Sequence, residues 1–411
     1  MNNKRMLIIS NNVLSRTKNN GKTILSYIDS LENVDIAQLY FSEEKPEIKK
    51  YKYFKLSDID ILKGFLKSSF RGTIPQLKKE GIPINERKYI KKSDCTMIIR
   101  ELMWLVRWQS RQLNEWLDDF SPNIIFFVAG DCVFSYRIAN YIQNKYKCRF
   151  TLYVTDDYIL PRKNEGILHS FRRWLITDNL KKTLRKATNF YTISKEMEIA
   201  YEGYLGRKSY LAVNMTESMK RDDVQEEKEY YYLIYTGSLY YGRDMVLRKI
   251  AEAISLYNKN NNKKAYLKIY SNSVPDDVHK FEIKGASRFC GMLNKDDIIM
   301  ELNKSNIPVF VESFDSNMIA KTKYSLSTKV PEYLSLGKAV LAVGPKGIGS
   351  MNYLSDKACC VNSLSDIYVT LDALLNSDNL INEYGKIAKD AYERNHNKES
   401  LQNEFKKNVL G

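Results

Sequence analysis

Two patterns alternate along the chain: short runs that are apolar on every residue, and longer stretches in which apolar residues recur every three or four positions. Met6-Leu-Ile-Ile-Ser10 is the first run. Polar residues follow from Asn11 to Gly21, and from Thr23 to Leu31 the spacing turns helical, which predicts strand, loop, helix. Ser121 to Gly130 and Phe150 to Thr155 are again continuous apolar or β-branched runs, separated by a helical pattern from Tyr136 to Tyr146, and Asn189 to Ser194 precedes a helix beginning near Lys195. Runs apolar on both faces suit a parallel sheet covered by helices, so the first half predicts β-α-β units.

Residues 213–228 are polar, lack an apolar period and predict a linker. The alternation then resumes, with strands expected at Tyr231 to Thr236, Ala265 to Tyr270, Ile307 to Val311 and Lys338 to Val343, and helices at Met245 to Tyr257 and Asp296 to Asn303. The expected architecture is α/β: two Rossmann-like doubly wound domains, 1–212 and 229–394, facing each other across a cleft. No repeat at a fixed period is visible, which argues against a solenoid.

Composition narrows the class. The 411 residues exceed what one core organises, and 44% hydrophobic with 27% charged residues excludes disordered or collagen-like chains. The N-terminal run is too short for a signal peptide and no stretch approaches the ~20 apolar residues of a membrane span, so a cytoplasmic protein is expected. The cysteines at 95, 132, 148, 290, 359 and 360 form no CxxC pair, a reducing-compartment pattern, and His169, His279 and His396 are scattered, so no metal site is expected.

Lys and Arg exceed Asp and Glu by 64 − 49 = +15, which favours polyanionic partners without choosing among nucleic acid, lipid headgroups and phosphorylated small molecules. Met97 to Leu117 predicts one helix carrying Trp104 and Trp108, downstream of Lys78, Lys79, Arg87, Lys88, Lys91 and Lys92. It is either a membrane-surface helix or a core-facing stripe. A second basic block, Arg162 to Lys186, predicts a solvated helical face.

Asn19-Asn-Gly-Lys-Thr23 is not a P-loop, because Arg16 stands where the first glycine belongs. What remains is a glycine between a first strand and a first helix, where backbone N–H groups can approach an anion. Tyr235 to Asp244 repeats that logic: Gly237 ends a strand and Arg243 precedes a helix, placed for bidentate contact with phosphate. Arg243, Lys329 and backbone N–H groups near Gly21 and Thr328 can stabilise a departing nucleoside diphosphate. The alternative for Lys329 and Glu332 is a capped helix start, with Ser327 or Thr328 as N-cap. Asp156 can take a proton from an acceptor hydroxyl or stabilise an oxocarbenium-like centre. Asp-Asp pairs recur at 118–119, 156–157, 222–223, 276–277 and 296–297, and only its position after a strand singles out 156–157.

Ile307 to Asp315 followed by Tyr324 to Ala342 resembles the donor signature of GT-B-type glycosyltransferases, in which a Ser-Thr-Lys segment, a glutamate opening a helix and a Gly-Lys-x-Val-Leu-Ala strand bind a nucleotide sugar. The resemblance implies that Glu332 bonds the donor ribose and that Gly237 and Arg243 face the diphosphate. It likewise implies that Ser271, Cys290 and Gly291 line the base, and that Glu312, Ser327, Thr328 and Lys329 complete the donor site. Asn20 and Gly21 resemble the glycine loop of the first domain, with Asn20, Lys22 and Asp157 on the acceptor side. Val154 to Tyr158 falls where relatives carry a Thr-x-His-Asp-type motif. Residues 395–411 resemble a terminal helix that crosses back onto the first domain. Three positions depart from the pattern: Ser238 replaces an arginine, Asp315 a glycine and Asp156 a histidine.

The resemblance implies hexosyl transfer with retention from a nucleotide-diphosphate sugar, UDP-sugar favoured, and no metal or other cofactor is expected. The acceptor is expected to be lipid-linked or a growing saccharide, such as a polyprenyl-diphosphate-linked one, in capsule or exopolysaccharide synthesis, with peripheral contact to anionic membrane. The rival readings are an epimerase or hydrolase on the same fold, a catalytically inactive scaffold, and a basic nucleic-acid-binding protein, though no nucleic-acid motif is present.

Overall fold

The computed structural model describes residues 4–16, 19–66, 72–78, 93–105, 108–162, 165–219, 230–272 and 280–411. The upstream cations Lys79, Arg87, Lys88, Lys91 and Lys92, together with Lys163 and linker residues 220–228, lie outside the described residues. Contacts divide the chain into two units, Met1–Ala212 with Glu399–Gly411 and Val213–Lys398.

In chain order the first unit contains β1 (Lys4–Ser10), α1 (Asn19–Ile28), β2 (Val34–Tyr40), β3 (Lys52–Lys55), α2 (Asp58–Leu66), α3 (Asp94–Leu105), α4 (Arg111–Phe120), β4 (Ile124–Ala129), α5 (Val133–Tyr146), β5 (Arg149–Val154), α6 (Ile167–Leu184), β6 (Asn189–Thr192), α7 (Lys195–Leu205) and β7 (Tyr210–Leu211). Its strands form one parallel sheet in the order β3-β2-β1-β4-β5-β6-β7. Every residue of β4 is buried, as expected of a strand covered on both faces. On the other side of β1, β2 carries Gln38 fully buried, its amide Nε2 donating to Ser10 Oγ (2.8 Å) and the Asn12 carbonyl (2.9 Å), while its Oε1 accepts from Leu14 N–H (3.0 Å). That satisfied amide interrupts the apolar run and hides β2 from periodicity.

The expected single helix from Met97 to Leu117 is two. Ser110 starts the second, its Oγ accepting from Leu113 N–H at 3.1 Å, because a serine hydroxyl satisfies a first-turn donor better than it continues a helix. Trp104 takes the core-facing alternative: it is fully buried, stacks on Phe134 with ring centroids 3.7 Å apart and donates Nε1–H to Asp58 Oδ1 at 2.7 Å. The basic block of α6 is less solvated than expected. Arg172 donates to Asp94 Oδ1 (2.7 Å) and Arg173 to Glu165 Oε2 (2.9 Å).

The second unit contains β8 (Tyr230–Thr236), α8 (Arg243–Asn260), β9 (Lys264–Tyr270), β10 (Ser287–Phe289), α9 (Lys295–Lys304), β11 (Ile307–Val311), α10 (Ser316–Thr322), α11 (Lys329–Ser335), β12 (Leu341–Val343), α12 (Gly349–Leu354), β13 (Cys359–Val361), α13 (Ile367–Leu375) and α14 (Asp378–Asn395). Its parallel sheet has the order β10-β9-β8-β11-β12-β13. The core gathers strand residues such as Leu233, Leu267, Val309 and Leu341 against Leu247, Ile250 and Ile254 of α8 and Leu371 and Leu374 of α13.

After α14 the chain returns to the first unit as α15 (Lys398–Leu410). Phe405 sits against Tyr27 (5.0 Å), Phe126 (5.2 Å) and Tyr191 (5.8 Å), and the Asn408 carbonyl accepts from Arg149 and Asn189.

Candidate functional site

In each unit the strand order reverses once, between β1 and β4 and between β8 and β11. Parallel α/β sheets bind ligands outside the carboxyl ends of the strands at such a point, because the flanking connections leave in opposite directions and open a crevice.

In the second unit, β8 runs out into Thr236 and Gly237, and β11 into Glu312. A Cβ on Gly237 would lie 2.7 Å from the Tyr235 hydroxyl, so the turn has no room for a side chain. The connection then takes left-handed backbone at Tyr241 (φ 67°) and Gly242 (φ 79°) before α8 opens with Arg243. A bulky residue in that conformation is strained, and here it aims the helix start at the strand ends. Arg243 Nη2 donates to Glu312 Oε2 at 2.9 Å, linking the two sides of the reversal. Burial works against the guanidinium charge, but Glu312 more than offsets it and holds Arg243 above its ordinary range. Burial pushes the Glu312 carboxyl up, with Arg243 pulling part of the way back.

A second cation and carboxylate stand on α11. Lys329 Nζ lies 3.3 Å from Glu332 Oε2, one turn apart. Burial opposes the ammonium, yet Glu332 raises Lys329 above its usual range. Tyr333 fixes this helix to β8: its hydroxyl is 2.9 Å from Thr236 Oγ1, accepts from Thr236 N–H (3.3 Å) and donates to the Thr236 carbonyl (3.2 Å). Of the two N-cap candidates, Thr328 occupies the cap position without a side-chain bond, while Ser327 Oγ accepts from Lys329 N–H at 3.3 Å.

Ser271, Cys290 and Gly291 meet at the carboxyl ends of β9 and β10. Ser271 N–H donates to the Gly291 carbonyl (2.9 Å), Cys290 N–H to Ile269 (2.8 Å), and Gly237 N–H to Tyr270 (3.1 Å), which ties this edge to the β8 turn. Burial pushes the Cys290 thiol up. Asp315, the departure from glycine, caps α10, its Oδ1 accepting from Asn317 (3.0 Å) and Met318 (3.1 Å) N–H groups. Lys338 likewise serves the fold, donating to the carbonyls of Leu302, Asn303 and Ser305 at the end of α9.

In the first unit, Gly21 is inside the first turn of α1 rather than in a loop before it, and Lys22 follows it there. A Cβ on Gly21 would lie 2.2 Å from the Val13 carbonyl oxygen, so the helix packs on the β1 connection through glycine's bare backbone. Asn20 Nδ2 donates to Thr155 Oγ1 at 2.8 Å, which brings the start of α1 to the end of β5. Asp156 comes next and accepts from the Tyr158 hydroxyl at 3.3 Å; burial holds that phenol protonated as the donor. Asp157 Oδ1 is occupied by the loop itself, accepting from Ile159 (3.1 Å) and Leu160 (3.0 Å) N–H groups and from the Tyr201 hydroxyl (3.2 Å).

The structure therefore gathers Gly237, Arg243, Glu312, Lys329 and Glu332 about one reversal, sets Ser271, Cys290 and Gly291 along the adjoining strand ends, and joins Asn20, Gly21 and Asp156 in the first unit. Sequence reasoning missed Tyr333, Tyr241 and Ser313. Tyr333 carries a signal, an aromatic four residues after Lys329 on the same helical face. Ser313, whose Oγ stands 3.1 Å from where a Gly242 Cβ would be, carries none.

Two parallel α/β units, each with this strand order, define the GT-B fold. No protein-family model matches the sequence, and no curated protein matches it. Solved structures do match over the whole chain. An α,α-trehalose-phosphate synthase (UDP-forming) from Burkholderia xenovorans in complex with glucose-6-phosphate superposes with a TM-score of 0.60 at 10% identity, covering 99% of this chain and 100% of its own. The Anabaena protein Alr3699/HepE in complex with UDP gives 0.63 at 8% identity, with 99% of each chain covered. A trehalose-6-phosphate synthase analysed with bisubstrate glycomimetics for glycosyl transfer with retention gives 0.59 at 12% identity, again over 99% of each. At these identities the likeness is one of fold.

Proposed function

We propose that this chain is a glycosyltransferase that moves a hexosyl group, with retention, from a UDP-sugar to a saccharide or polyprenyl-diphosphate-linked acceptor in cell-surface polysaccharide synthesis. The observation that carries the reading is the pair of tethered cations, Arg243 on Glu312 and Lys329 on Glu332, about the β8/β11 reversal. The fold-neighbours described with UDP or as UDP-forming support it, and the neighbour studied for retention supports the stereochemistry.

In this reading the bond between the anomeric carbon and the diphosphate oxygen breaks with both electrons leaving on oxygen. Arg243 and Lys329 stabilise that charge, which is worth most where water is excluded. Glu332 accepts the ribose hydroxyls, and Ser271, Cys290 and Gly291 border the base. Asp156, held by Tyr158, stabilises the positive sugar carbon or takes the acceptor hydroxyl's proton as the new bond forms. No metal is needed for these steps. Cytoplasmic UDP-sugar and a lipid-linked acceptor put the reaction at the inner face of a membrane, and among the described residues no helix is long and apolar enough to cross one.

The test is to incubate the full chain with UDP-sugars and candidate acceptors, with EDTA present, and to follow UDP release and the anomeric NMR signal of the product. Acceptor-dependent UDP release with the donor's configuration kept is the expected result. Release independent of acceptor would make the protein a hydrolase, and a changed sugar without UDP release an epimerase.

A further inference from the structure

The first unit carries a surface that sugar transfer does not use. On α6, Ile167, Phe171 and Trp174 fall on one helical face and are 88%, 47% and 60% exposed. On α3, Ile99, Leu102 and Leu105 do the same at 65%, 58% and 50%. Neither helix needs these residues for its core, since α6 buries Ile176, Leu180 and Leu184 and α3 buries Met97 and Trp104. A surface helix ordinarily turns polar residues outward, so both stripes are in excess of what folding requires.

The two stripes are held side by side. Arg172 of α6 donates to Asp94 of α3 at 2.7 Å, and His169 Nδ1 lies 3.2 Å from the same carboxylate. Between the helices is a mostly apolar groove of about 210 Å³, bordered by Leu102, Leu105, Phe171, Leu175 and Ile176. Phe171, which borders the groove, stacks on the exposed Trp174 with ring centroids 6.1 Å apart. Farther along α6 the exposed face changes character: Lys181, Lys182 and Arg185 outnumber Asp178. At 1.5 Å per residue, Arg185 lies ~16 Å from Trp174 along the axis.

We propose that this face docks the protein on an anionic phospholipid surface. The apolar side chains of α3 and α6 enter the boundary of the acyl region, the groove takes part of a lipid chain, Trp174 sits where an amphipathic ring is favoured, and Lys181, Lys182 and Arg185 meet the headgroups. Charge decides the occupant: the cations call for a negative surface, and a second copy laid on the same face would bring more cations. The proposal does not rest on the donor site.

The experiment is flotation of the full chain with vesicles of phosphatidylcholine alone and of phosphatidylcholine mixed with phosphatidylglycerol, at low and high salt. The expected result is binding to the mixed vesicles, weakened by salt, and reduced about tenfold or more in Phe171→Ser/Trp174→Ser, since two large apolar side chains no longer leave water. Lys181→Gln/Arg185→Gln, which leaves every apolar side chain in place, is expected to lose the preference for anionic vesicles. Equal binding to neutral and anionic vesicles, or unchanged flotation of both variants, would overturn the proposal. So would light scattering that finds a wild-type dimer dispersed by the Phe171→Ser/Trp174→Ser change, which would give the face to a second copy.

Discussion

Arg243 and Glu312 join across the reversal of the second sheet: the arginine opens the helix that follows β8, the glutamate ends the extension of β11, and Nη2 stands 2.9 Å from Oε2. Glu312 is only 4% exposed, and among the described residues Arg243 is the cation that balances its charge. A ligand phosphate arriving there competes with a carboxylate for the same guanidinium, and binding and stability are coupled through one side chain.

Removing the arginine strands a buried charge. Arg243→Met is expected to cost about 3 kcal/mol in urea unfolding at neutral pH, and adding Glu312→Gln to recover most of it. The pH dependence follows from the direction of the shift. Burial raises the Glu312 carboxyl, so the folded state favours its protonated form, and stability declines as pH rises through the shifted value. That decline is expected to steepen in Arg243→Met and to vanish in Glu312→Gln.

His396, at the end of α14, is fully buried with Nδ1 2.8 Å from the Asn214 carbonyl and Nε2 without a partner among the described residues. Burial lowers it to about 4. The unfolded chain therefore takes up a proton that the folded one refuses, and stability present above about pH 6.5 is lost as pH falls toward 4, by up to ~3 kcal/mol. His396→Gln is expected to flatten urea midpoints across that window.

The two tryptophans that the sequence set side by side separate in cost. Trp104→Ala removes a fully buried ring and its bond to Asp58, an expected loss of about 3–5 kcal/mol. Trp108 is half-buried and meets Tyr141 edge-on at 5.2 Å, so Trp108→Ala is expected to cost under about half as much. Thermal melts of the two variants check the order.

The parallel sheets were legible because strands such as β4, β8 and β11 are buried on both faces and stand out as apolar runs. β2 was not, since Gln38 is buried by hydrogen bonds rather than by apolarity; β3, β10 and β13 are too short for a period to register. Among site residues, Arg243 announced itself as a cation at the start of a helix after a strand, and Lys329 through the Ser-Thr-Lys segment of the family resemblance. The roles of Asp157 and Asp315 did not, because a carboxylate that caps its own loop reads the same in sequence as one facing a ligand. The exposed stripe of α6 was hidden by its other face: the apolar residues of both faces overlap in one run, and only burial separates them.

Calorimetric titration of UDP into the wild-type chain and into Lys329→Met tests the central claim most directly, because Lys329 can be exchanged without stranding a fully buried acid. UDP at a hundred times its dissociation constant should stabilise the wild type by ~2.7 kcal/mol, and Lys329→Met should bind about tenfold or more weakly, as loss of a charge-assisted contact to phosphate implies. Unchanged affinity in the variant, or no UDP binding by the wild type, would contradict a diphosphate site at the β8/β11 reversal.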